Sequence, residues 1–119
     1  MDNLKYSIIF AVIRPEISEQ VSVGLILVEG EKVEVRYSKT KLNSIQSLFS
    51  EEEYNFVSRV VTNMKQNGNV NSIADINYLS RYSNNLIAFS PLQSIDLAPT
   101  ESNKRRLYQK YVYKPAKAV

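Results

Sequence analysis

The stretch Tyr6-Ser7-Ile8-Ile9-Phe10-Ala11-Val12-Ile13, followed by Gln20-Val21-Ser22-Val23-Gly24-Leu25-Ile26-Leu27-Val28, decides the fold, because nowhere else do β-branched and aliphatic residues run so densely. Successive side chains on a strand alternate between faces. Tyr6, Ile8, Phe10 and Val12 therefore share one face, and Ile9, Ala11 and Ile13 the other. Both faces are apolar, so this strand belongs in the middle of a sheet. In the second segment Val21, Val23, Leu25 and Leu27 are expected on one face. Ser22, Gly24, Ile26 and Val28 are expected on the other, where Gly24 leaves room for a close approach. The next segment alternates Val33, Val35 and Tyr37 with Lys32, Glu34 and Arg36, which reads as a strand on the edge side with one dry and one wet face.

Moving outward, Arg14-Pro15 ends the first strand, since proline cannot donate to a ladder, and Glu29-Gly30-Glu31 turns the second strand into the third. The period becomes helical over residues 40–49, with Leu42, Ile45 and Leu48 or Phe49 on one side and Thr40 as the cap. Ser50-Glu51-Glu52-Glu53 is a capping box opening a helix over 51–65, in which Tyr54, Val57, Val61 and Met64 recur on one face until Asn67-Gly68. A further helix is expected over 72–82, then a turn at Asn84-Asn85 and a short strand over 86–89 closed by Ser90-Pro91. Thr100 caps a last helix with a stripe of Leu107, Tyr108, Tyr111 and Val112, and the tail over 115–119 is expected to fray. Together these elements predict an α+β fold. A small, mainly antiparallel sheet of two hairpins plus a later strand is covered by helices, the C-terminal helix among them, in one domain over 1–119.

The composition excludes much chemistry. There is no cysteine and no histidine, which removes disulfides, thiolate nucleophiles, Ser-His-Asp catalysis and most transition-metal sites. The longest apolar run, from Ile8 to Ile13, is far shorter than the roughly 20 residues that span a bilayer, so no membrane segment and a cytoplasmic location are expected. Charge is unevenly placed. Residues 1–100 hold nine Lys or Arg against eleven Asp or Glu, a balance of −2, whereas residues 101–119 hold six against one, a balance of +5. Such asymmetry favours an acidic partner at the C-terminal end, whether nucleic acid, an acidic protein face or a membrane surface, and names none of them.

Candidate sites carry a functional and a structural reading each. Glu16 and Glu19, in the loop after the first strand, could hold a hard cation or act as acid and base, but two carboxylates without an Asp-rich loop fall short of a metal motif. The structural reading, with Glu19 ordering the loop through Arg14, is preferred, and no metal or cofactor is expected. The capping box accounts for Glu51, Glu52 and Glu53, and Gly24 is a packing glycine with no second glycine to make a phosphate loop. The run Lys104-Arg105-Arg106-Leu107-Tyr108-Gln109-Lys110-Tyr111-Val112-Tyr113-Lys114 interleaves cations with aromatics, as phosphate neutralisation and base stacking would use. Arg106, Lys110, Tyr113 and Lys114, with Glu19, are the candidate binding residues. The structural reading, a docked terminal helix whose tyrosines pack on the core and whose cations complement the negative helix end, is preferred, since a Lys/Arg patch without a reading module is a weak nucleic-acid signal.

The segments Tyr6-Ser7-Ile8-Ile9, Glu19-Gln20-Val21-Ser22-Val23-Gly24-Leu25-Ile26-Leu27, Leu86-Ile87-Ala88-Phe89-Ser90-Pro91 and Arg106-Leu107-Tyr108-Gln109-Lys110-Tyr111-Val112 resemble, in that order, the bacterial domain-of-unknown-function family 3037. That family's Arg-Gly-Glu step and Asn-Val-Gly triplet fall on Ile17-Ser18-Glu19 and Ser22-Val23-Gly24, where Glu19, Val23 and Gly24 match. The resemblance implies a regulatory or antitoxin-like role beside HipA-type serine/threonine kinases. A non-enzymatic protein-interaction module is the expectation. Nucleic-acid binding through the basic C-terminal helix is the alternative, and a hydrolase using Glu16 and Glu19 is a distant third.

Overall fold

The computed structural model describes residues 3–30, 32–66 and 86–114. Five strands form one antiparallel open sheet: β1 (Lys5–Arg14), β2 (Glu19–Glu29), β3 (Lys32–Tyr37), β4 (Ile87–Phe89) and β5 (Gln93–Ser94). The order is β3-β2-β1-β4, with β5 also paired to β1. The doubly apolar β1 is thus central, and β3 lies at an edge. Three helices accompany the sheet among the described residues: α1 (Lys39–Ser44), α2 (Glu51–Gln66) and α3 (Glu101–Tyr111). The expected α+β architecture is the one observed.

Each face of the sheet carries a buried apolar cluster. On one side Ile9, Ala11, Ile26, Val28 and Val35 pack with Leu42 and Ile45 and with Val57 and Val61 of α2. On the other, Leu4, Tyr6, Leu25 and Leu27 pack with Leu107 and Val112 at α3. Strict alternation along β2 fails at one point. Ile9 pairs with Gly24 but Phe10 pairs with Ser22, so Val23 is an extra residue, a β-bulge that reverses the phase of everything before it. Leu25 and Leu27 therefore face α3 while Val21 and Val23 face the α2 side, and the four do not share a face as alternation predicts. Gly24 sits where the bulge brings backbones together. A Cβ there would lie 3.0 Å from the Arg36 carbonyl oxygen and 3.0 Å from Ile9 Cδ1.

Ser90-Pro91 interrupts the fourth strand position instead of closing it, because β5 resumes pairing with Lys5 and Tyr6 just beyond. The break is spanned by side chains. The Ser7 hydroxyl donates to the Ser90 carbonyl at 2.6 Å, and the Ile8 amide donates to Ser90 Oγ at 2.7 Å, so the fully buried Ser7 leaves no polar group unpaired.

Ser38, not Thr40, caps α1. β3 ends at Tyr37, so Ser38 is the first residue able to hold an extended cap conformation, and its Oγ accepts from the Lys41 amide at 3.1 Å. The helical stretch is also shorter than its periodicity suggests, passing into a 3-10 turn at Gln46–Leu48. The capping box is as expected: the Ser50 amide donates to Glu53 Oε1 at 3.0 Å and the Glu53 amide to Ser50 Oγ at 3.2 Å. Val57 and Val61 follow at 0% exposure. The expected stop at Asn67-Gly68, the helix over 72–82, the turn at 84–85 and the tail over 115–119 lie outside the described residues.

Candidate functional site

The candidate site centres on α3. Thr100 caps the helix by accepting the Asn103 amide at 3.2 Å. Its inner side supplies Leu107 and Val112 to the second core, with Tyr108, Tyr111 and Tyr113 packed around them. Tyr111 stacks on Tyr6 with ring centroids 5.2 Å apart, and the Tyr6 hydroxyl lies 2.8 Å from Gln93 Oε1 and 3.3 Å from the Tyr111 hydroxyl. The hydrogen bond to Tyr111, together with burial, pushes the Tyr6 phenol up to about 12. Aromatics that looked free to stack on a ligand are thus committed to the fold, Tyr113 included.

A second set of contacts ties α3 to β2 and β3. Lys104 reaches Glu29 at 3.3 Å and Glu34 at 3.4 Å, while Arg36 forks onto Glu101 at 3.0 and 2.7 Å and also pairs with Glu34. The polar side of β3 is therefore partly covered by α3, which leaves Arg36 mostly shielded while Glu34 and Lys32 keep contact with water. Burial alone would raise the Glu34 carboxyl, but the hydrogen bond and charge of Arg36, aided by Lys104, hold it below its ordinary value. Glu101 is held down by the Arg36 hydrogen bond.

The C-terminal end of α3 is held by groups that periodicity does not single out. The Ser22 hydroxyl donates to the Tyr111 carbonyl at 2.6 Å, and Lys41 Nζ donates to the Val112 carbonyl at 2.6 Å and to Ser22 Oγ at 3.0 Å. The last carbonyls of a helix lack intrahelical donors, so a cation and a hydroxyl suit them. Lys41 has no carboxylate partner among the described residues, and burial lowers its pKa.

What remains on the outside is cationic. Arg106, Lys110 and Lys114 are exposed, and none of them is ion-paired among the described residues. Lys110 Nζ lies 5.2 Å from the Tyr111 ring centroid, and Arg105 reaches Glu101 at 4.0 Å. Of the expected binding set, α3 and its end thus bring together Arg106, Lys110 and Lys114, with Tyr113 turned toward the core. Glu19 stands apart, exposed in the first hairpin and 3.8 Å from Arg14, and Glu16 is exposed on the Pro15–Ile17 turn beside it. No group of three or more acidic side chains that could hold a metal ion occurs among the described residues. Ser22, Glu29, Glu34, Arg36 and Lys41 escaped the sequence reading because their partners lie in α3 or at its C-terminal end; the only local hint was the charge alternation along β3.

No helix among the described residues is long and apolar enough to cross a membrane. Compared with known proteins, the chain matches no family model, no curated protein and no solved structure.

Proposed function

We propose that this protein is a non-enzymatic module that binds and regulates a protein partner in the cytoplasm through the outer face of α3. One observation carries the reading: among the described residues Lys104 of α3, and Arg36 and Lys41 facing it, are engaged by the fold, whereas Arg106, Lys110 and Lys114 are left along its exposed side and end. A rigid helix presenting fixed positive charge suits an acidic protein surface, for which charge complementarity sets on-rate and partner choice. Nucleic acid is the less favoured partner. The interleaved tyrosines pack inward, so the face offers phosphate contacts without a stacking platform. The absence of histidine and cysteine supports a non-enzymatic role. A HipA-type serine/threonine kinase, implied by the resemblance to family 3037, is the first partner to test.

The experiment is co-elution of the purified chain with such a kinase and measurement of kinase autophosphorylation, using the parent and a variant with Arg106, Lys110 and Lys114 changed to Ser. Complex formation with the parent and its loss with the variant support the reading. No co-elution and unchanged autophosphorylation remove the kinase. Duplex or single-stranded nucleic acid bound with an affinity falling steeply with salt would transfer the face to the other class of partner.

A further inference from the structure

Two half-buried lysines fasten α3 to the body of the protein, and they do so by different chemistry. Lys104 sits between the carboxylates of Glu29 and Glu34, at 3.3 and 3.4 Å. Among the described residues Lys41 meets only neutral oxygens, the Val112 carbonyl at 2.6 Å and Ser22 Oγ at 3.0 Å. We propose that Lys41 is a modification site, acylated by an activated acyl donor such as an acyl phosphate, and that acylation unlatches the C-terminal end of α3.

The chemistry follows from the amine's surroundings. An amine is nucleophilic only when unprotonated, and burial without a counter-charge favours that form, as the lowered pKa of Lys41 reflects. Nζ attacks the acyl carbon, a C–N bond forms as the C–O bond to phosphate breaks, phosphate departs with the electron pair, and the nitrogen releases a proton to solvent. The product amide is uncharged and has one N–H in place of three ammonium donors. It carries added bulk at a point where Nζ now sits between a helix end and a strand. The contacts to the Val112 carbonyl and Ser22 Oγ cannot both survive, and the favourable charge at the negative helix end is gone. Ser22 still holds the Tyr111 carbonyl, so the last turn loosens while Leu107 keeps the helix docked. The consequence for partner binding rests on the reading of α3 as the interaction face, since Lys110 and Lys114 flank the released end; the unlatching does not.

The test treats the full chain with acetyl phosphate near pH 8 and follows acetylation of each lysine by peptide mass spectrometry. Lys41 is expected to react at least about tenfold faster than Lys104, because Lys104 is engaged by two carboxylates and Lys41, among the described residues, by none. Equal rates, or faster labelling of Lys104, overturn the proposal. Lys41→Gln, which mimics the neutral product, is expected to speed hydrogen exchange of the Val112 and Tyr113 amides about tenfold, both of which donate to the Tyr108 carbonyl. Lys41→Arg retains the charge and is expected to keep most of the protection. Unchanged exchange in Lys41→Gln overturns the latch. Loss of kinase binding in the triple cationic variant, or its absence in the parent, bears on the interaction face and leaves both of these outcomes readable.

Discussion

Changing Leu107 to Ala separates the two duties of α3, because docking and partner binding fall on different residues. Leu107 is 3% exposed and packs among Leu4, Tyr6, Leu25, Leu27 and Val112. The change removes three carbons from that cluster, a transfer loss of roughly 2.4 kcal/mol at about 0.8 kcal/mol per methylene. A cavity term is added, which brings Leu→Ala changes in cores to about 2–5 kcal/mol. A helix packed by one side on a sheet can settle into part of the void, so about 3 kcal/mol is expected. For a chain of 119 residues, at about 2.1 cal/mol/K of unfolding entropy per residue, that lowers Tm by about 12 °C. Differential scanning calorimetry of the variant measures the shift. The triple change of Arg106, Lys110 and Lys114 to Ser is expected to stay within about 0.5 kcal/mol of the parent, as exposed residues without ion pairs among the described residues should. A Leu107→Ala protein melting within about 2 °C of the parent would refute the docking of α3 on Leu25 and Leu27.

Other perturbations address other parts of the fold. Gly24→Ala places a Cβ 3.0 Å from a backbone oxygen that cannot move without breaking the β2–β3 ladder, and a loss of about 1–3 kcal/mol is expected in urea denaturation; an unchanged midpoint would mean the bulge is looser than described. Ser18 holds φ at 56°, a left-handed conformation that glycine adopts freely, so Ser18→Gly is expected to stabilise the protein by about 0.5–1 kcal/mol, and a lower Tm would contradict the strain. Val57→Asp puts an unpaired carboxylate at a fully buried site on α2 and is expected to cost several kcal/mol, read as loss of the cooperative thermal transition; a variant melting like the parent would deny that α2 covers the sheet. Glu34 has a depressed folded pKa, so its stabilising contribution is complete above the ordinary carboxylate value of 4.5 and is lost as pH falls through the folded value. With Glu34 41% exposed, the loss is expected to reach no more than about 1 kcal/mol, and Arg36→Met should flatten it in stability curves taken between about pH 6 and 2.

Periodicity, caps and breakers determined most of the architecture, since these are local properties that act wherever the segment ends up. The doubly apolar β1 had to be central, Lys32–Tyr37 had to be a strand with one polar side, and Ser50 with Glu53 had to open a helix carrying Val57 and Val61 inward. Thr100 and the Leu107, Tyr108, Tyr111 and Val112 stripe likewise specified a docked terminal helix. The composition removed histidine and cysteine chemistry at the outset. Tertiary structure decided what depends on distant partners. An extra residue at Val23 reversed the facing of half of β2, which no count of alternation reveals because a bulge exists only relative to the strand it pairs with. The polar side of β3 became the seat of α3 because Glu29, Glu34 and Arg36 meet Lys104 and Glu101 across some seventy positions of chain, and Coulomb attraction depends on separation in space. The same folding sorted the basic C-terminal segment. Its tyrosines and Lys104 turned inward to satisfy the sheet, Lys41 and Ser22 closed the helix end, and Arg106, Lys110 and Lys114 were left as the charges free to meet another molecule.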